Sequence, residues 1–146
     1  MGMSKMEYEQ MVKKASPNSK ILSNCARAFM VGGLICTLGQ VLYAIFGALG
    51  ANRDMSGMLV AISLIFLASL ATGIGKYDGL VKFAGAGAGV PITGFANAVV
   101  APAIEFKKEG YILGVGAKMF LIAGPVIVYG TLASMVVGLI YYFTLI

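Results

Sequence analysis

Residues 82–97 read Lys-Phe-Ala-Gly-Ala-Gly-Ala-Gly-Val-Pro-Ile-Thr-Gly-Phe-Ala-Asn, and their types and spacing suit contact with a solute. Gly85, Gly87 and Gly89 alternate with alanine, which leaves backbone N–H groups open along the stretch. Where such a stretch runs into a helix start, its amides and the helix dipole attract anions. Lys82 stands just before it, and Thr93 and Asn97 are spaced i,i+4, on one helix face. Lys82, Gly85, Gly87, Gly89, Thr93 and Asn97 could therefore line a path for a small anion. The same glycines suit close packing of a bent segment, and spacing leaves both readings open. A nucleotide phosphate loop fits poorly, because Phe95 follows the Gly89–Gly94 interval where a lysine is needed.

Other chemistry is poorly supplied. The chain has no histidine, and its two cysteines, Cys25 and Cys36, match neither a metal-binding spacing nor a disulfide framework. They read as small apolar packing residues. The six carboxylates, Glu7, Glu9, Asp54, Asp78, Glu105 and Glu109, all lie outside the uncharged runs. No catalytic residue, metal site or cofactor is expected, and an enzyme is the poorest class. Separated carboxylates give no calcium site. The net charge of +5 suggests nucleic acid at first sight, but the basic residues sit at segment ends, where they set membrane topology.

These residues must be positioned by a chain that is 59% hydrophobic and 12% charged, with a mean hydropathy of +0.89. Four uncharged runs, residues 28–52, 55–75, 83–104 and 119–146, hold about two-thirds of its 146 residues. A soluble fold this small has too much surface to hide them. The expected class is an all-α integral membrane protein with about three transmembrane helices, near 28–50, 55–75 and 119–143. A Gly/Pro-broken re-entrant segment is expected at 83–104. Residues 1–27 form a basic cytoplasmic segment, and 28–146 a single membrane domain. No cleavable leader is expected, because the first run starts late and is too long.

Within the basic segment, residues 3–15 suit a short helix, interfacial or solvated, that Ser16-Pro17-Asn18 ends. In the first span, Gly32 and Gly33 permit close helix packing, and Gln40 needs a helix or a wet cavity as companion. In the third run, interior glycines and Pro91 oppose a continuous helix. A helix can restart with Thr93 as its N-cap and kink near Pro102. Residues 111–117 are too short to cross. The last run is expected to break at Gly124-Pro125, which with Pro91 are candidate hinges, and its Tyr141-Tyr142-Phe143 suit an interface.

Charge decides whether the third run crosses. With the N-terminus in the cytoplasm, a returning segment places ten basic residues inside and only Arg53 outside. A crossing segment moves Lys107, Lys108 and Lys118 outside and leaves a seven-to-four split. The positive-inside rule favours return. Broken backbone at membrane depth then needs shielding by protein or water.

Phe83-Ala-Gly-Ala-Gly-Ala-Gly-Val-Pro-Ile-Thr-Gly-Phe-Ala-Asn97 resembles the signature of the stage V sporulation protein AC family, which is related to the AE(b) subunit. Cys25-Ala-Arg-Ala-Phe-Met-Val-Gly-Gly-Leu-Ile-Cys36, Gly39-Gln40, Glu105-Phe-Lys-Lys-Glu-Gly110, Leu113-Gly114-Val115 and residues 130–141 agree with it. The resemblance spans residues 24–142 and leaves 1–23 and 52–58 without a recognisable signature. It implies a subunit of a bacterial inner spore membrane complex that moves dipicolinic acid, with calcium, into the spore and out again at germination. It also implies a mechanosensitive channel activity. The implied partners are the homologous AE(b) membrane subunit and the soluble, thiolase-like AD subunit. Dipicolinate is a flat dianion, in keeping with an anion-friendly re-entrant segment. The alternative is a non-conducting scaffold that anchors a soluble partner, in which exposed charges such as Lys107 and Lys108 matter and the glycines tolerate bulk.

Overall fold

The computed structural model describes residues 5–15 and 19–145. The expected helix end at Ser16-Pro17-Asn18 falls outside them. The described residues are almost entirely helical, in the order α1 (Lys5–Ala15), α2 (Ile21–Ala48), α3 (Arg53–Gly73), α4 (Tyr77–Ala84), α5 (Ala86–Gly89), α6 (Ile92–Glu105) and α7 (Ala117–Leu145). A 3₁₀ turn, Phe106–Glu109, and a π-helical turn, Tyr111–Gly116, join α6 to α7.

Three helical stretches are long and apolar enough to cross a bilayer: Ile21–Ala48, Arg53–Gly73 and Tyr111–Thr144. The protein is an all-α membrane protein. Its surface agrees, with Phe29 83% and Leu34 69% exposed on α2 and every residue from Pro125 to Thr144 exposed on α7. Several hydroxyls along these helices satisfy themselves locally. Thr37 donates to the Gly33 carbonyl at 2.9 Å, Ser63 to Leu59 at 2.8 Å and Ser69 to Ile65 at 2.8 Å. Such i−4 bonds let polar residues sit in apolar helices.

Several boundaries differ from the sequence reading. α2 begins at Ile21, so Arg27 lies inside the helix and not ahead of it. α3 begins at Arg53, because the Asn52 side chain accepts the Met55 N–H at 2.9 Å and caps it. α6 starts at Ile92 with Pro91 at the cap position, φ −60° and ψ 170°. Thr93 is therefore not the cap. The fixed φ of proline already sets the chain for helix entry. Residues 111–117 do not stand apart as a short apolar stretch. They continue into α7, because Gly114 lets the π turn lie directly on the Phe106 carbonyl and on Glu109. The expected break at Gly124-Pro125 is absent. α7 runs through Pro125, which removes one intrahelical hydrogen bond without ending the helix.

The internal core is small. Ala68 of α3, Tyr77 of α4 and Ala96 of α6 are buried together, with Ala71, Leu80 and Val81 against them. α6 lies between α3 and α7, and α5 lies on α2. The 14 residues of α6 span about 21 Å at 1.5 Å each, against a hydrocarbon core of about 30 Å.

Candidate functional site

The glycine stretch folds as two sharp bends around one helical turn. α4 ends at Gly85, whose φ of +55° and ψ of −125° suit only glycine. One turn follows, Ala86–Gly89, and then Val90 and Pro91 redirect the chain into α6. A continuous helix is absent, as glycine and proline content implied.

Each glycine has a different surrounding. Gly87 lies on the backbone of α2, and a Cβ there would stand 2.6 Å from the Ala28 Cα and overlap its carbonyl. Gly32 faces the same contact, its Cβ position 3.4 Å from the Gly87 carbonyl oxygen. Gly94, at the start of α6, packs equally tightly on Gly89 and Ala88. Gly89 and Gly33 have open space where a Cβ would point. The stretch thus combines two roles: Gly87 and Gly94 hold the segment in place, and Gly89 faces outward.

The polar residues are distributed over three cavities. Thr93 is 6% exposed, and its Oγ1 has no hydrogen-bond partner among the described residues. It lines an apolar cavity of about 170 Å³ with Leu64, Ala68 and Tyr77. Asn97 accepts a hydrogen bond from the Thr72 hydroxyl at 2.9 Å, which ties α6 to α3. Both line a cavity of about 380 Å³ that Asp78 and Glu105 also reach. Lys82 and Gly85 open onto a third, of about 390 Å³, with Asn24 and Arg27 of α2. The six residues read from sequence therefore share one neighbourhood but not one continuous lining.

Electrostatics separates these cavities further. Lys82 Nζ pairs with Asp78 Oδ2 at 2.6 Å, one turn away on α4. That hydrogen bond and the carboxylate charge raise the Lys82 pKa above its ordinary value, so the amine stays protonated across neutral pH. Arg27 lies over the Phe83 ring, 5.1 Å from its centroid, and Lys118 lies over Phe106 at 4.7 Å. Among the described residues no carboxylate pairs with Arg27. No three histidines, cysteines or acids converge among them either.

Sequence reasoning missed three residues here. Arg27 and Asn24 join Lys82 only because α2 starts a full two turns earlier than the uncharged run. Tyr77 is the third: it stands between Lys76 and Asp78 in the sequence, yet it is 4% exposed and donates from its hydroxyl to the Ala88 carbonyl at 2.8 Å. An aromatic that keeps one polar atom satisfied is a common core solution, but its partner lies eleven residues on and has no local signal. Gln40 is exposed on α2 and has no hydrogen-bond partner among the described residues, so the companion it needs is not met within the described residues of this one chain.

Residues 24–140 match the family model described as SpoVAC/SpoVAEB sporulation membrane protein. Stage V sporulation protein AC of Bacillus subtilis (strain 168) is 44% identical over 139 residues, which cover 94% of this chain and 93% of that protein. No solved structure matches. The matched span contains nearly all of α2, the whole of α3, the bends themselves and nearly all of α7, so the chain belongs to the SpoVAC/SpoVAEB family of sporulation membrane proteins.

Proposed function

We propose that this chain is a membrane channel or transport subunit that moves dipicolinic acid, together with calcium, across the inner membrane of the spore. The observation that carries this reading is α6: too short to cross at about 21 Å, and entered through glycine bends. A segment of this kind enters and leaves on one side, with irregular backbone at depth. Gly89 and Asn97 line it, while Thr93 faces the core. Gly87 holds it against α2, Lys82 and Gly85 stand at its mouth, Pro91 is its hinge, and Gly124-Pro125 is a point of flexure within the continuous α7. The N-terminus is cytoplasmic.

Three crossing helices enclose little space, so the conduit forms between subunits. The homologous AE(b) membrane subunit and the soluble AD subunit complete it. The long exposed face of α7 and the unpartnered Gln40 supply surface for that assembly. Tension in the membrane is one route to opening, because α7 carries in its first third a proline that removes one backbone hydrogen bond. The family is described as sporulation membrane proteins and is not a known enzyme family.

Gly89→Val tests the reading. The new side chain meets nothing within the chain, so insertion and fold should survive. Dipicolinate content of spores should fall several-fold, and release on germination should slow. Normal uptake and release, with loss of function instead in Lys107→Gln and Lys108→Gln, would favour a scaffold that only anchors a soluble partner. Those two lysines are exposed on the 3₁₀ turn.

A further inference from the structure

The recess between α2 and α4 adjoins the mouth of the proposed conduit through Lys82 and Gly85, and it adds Asn24 and Arg27 of α2, which the conduit reading does not use. Its volume is about 390 Å³, and Asn24, Arg27, Lys82, Phe83 and Gly85 are among its walls. Its cations come from two different elements: Arg27 from the second turn of α2 and Lys82 from the end of α4.

Its depth follows from helix length. The 28 residues of α2 measure about 42 Å, some 12 Å more than the hydrocarbon core. The excess belongs to the N-terminal end, where Lys20, Ser23, Asn24 and Arg27 cluster, since the other end reads Tyr-Ala-Ile-Phe-Gly-Ala. About eight residues, from Ile21 to Ala28, thus stand at the level of the lipid headgroups. The recess opens at that level.

Its charge narrows the ligand. Asp78 neutralises Lys82, while Arg27 has, among the described residues, the Phe83 ring beneath it and no carboxylate partner. The recess therefore presents a net single positive charge, with an amide and an ammonium able to donate hydrogen bonds. A phosphodiester carries one negative charge and oxygens that suit the guanidinium fork. A dicarboxylate dianion would remain half uncompensated. Basic pockets between membrane helices are known to take lipid phosphates.

We infer that the Arg27–Lys82 recess binds a phosphate group, and that its source is the headgroup of an anionic phospholipid. Arg27 supplies the paired donors, Asn24 and Lys82 add single ones, and Phe83 keeps the guanidinium turned into the recess.

The test uses the full chain purified in detergent with equal phosphatidylglycerol and phosphatidylcholine, and counts retained lipid by native mass spectrometry. The unaltered protein should retain phosphatidylglycerol preferentially. Arg27→Gln should cut that preference about fivefold, the worth of one surface charge, and Arg27→Lys should lose less. Lys82→Gln should lose less than Arg27→Gln, because Asp78 already screens that amine. Unchanged elution and helicity would certify that each variant is folded. Displacement by inorganic phosphate at millimolar concentration, without preferential lipid retention, would support the phosphate chemistry and make a soluble anion its source. Equal retention of both lipids together with no effect of phosphate would overturn the proposal.

Discussion

Gly87→Val detaches α5 from α2. The substituted Cβ falls on the Ala28 carbonyl and 2.6 Å from its Cα, and neither backbone can retreat without moving a whole helix. Overpacking between flexible side chains costs about 1–3 kcal/mol, and a clash of backbone with backbone lies at or above the upper end of that range. The expected result is a large fall in the midpoint of SDS-induced unfolding in mixed micelles, with loss of spore dipicolinate. Gly89→Val sets the comparison, since its side chain enters open space and leaves the midpoint nearly unchanged. Equal midpoints for the two variants would show that α5 does not dock on α2 as described.

Tyr77→Ala should be as damaging for a different reason. The side chain is buried in the small core with Ala68 and Ala96, and it fills space next to the cavity that Thr93 lines. Removing a buried aromatic costs about 3–5 kcal/mol in a packed interior. Tyr77→Phe separates the two contributions. It keeps the ring and deletes the 2.8 Å hydrogen bond to the Ala88 carbonyl, worth about 1 kcal/mol between membrane helices. The same unfolding titration reads both. A phenylalanine variant as unstable as the alanine variant would mean that the hydrogen bond, and not the ring, holds α4 to α5.

The elements that sequence made legible are those whose signal is local. Residues 28–52, 55–75 and 119–146 are apolar enough to place three helices. Gly85 and Pro91 break the third run because one needs positive φ and the other cannot donate. The misplacements share one cause. A run ends where charge begins, but a helix ends where its backbone bonding ends. By that rule Arg27 falls outside its helix, residues 111–117 are set apart from theirs by Lys118, and Gly124-Pro125 is expected to break a helix that runs through it. The candidate site was legible in residue types and not in arrangement. The i,i+4 spacing of Thr93 and Asn97 is real, yet α3 takes Asn97 through Thr72 while Thr93 turns into the core. That division depends on packing between elements distant in sequence, which no local pattern encodes.

Everything proposed for the glycine segment depends on the side of the membrane to which α6 returns the chain. Single cysteines at Arg53→Cys, Lys107→Cys and Lys118→Cys, in a Cys25→Ser/Cys36→Ser background, can be labelled with a membrane-impermeant maleimide in right-side-out and inverted vesicles. A returning segment predicts that positions 107 and 118 react from the cytoplasmic side and position 53 from the opposite side. Labelling of positions 53 and 107 from the same side would show that the third segment crosses, and the conduit would have to be drawn without it.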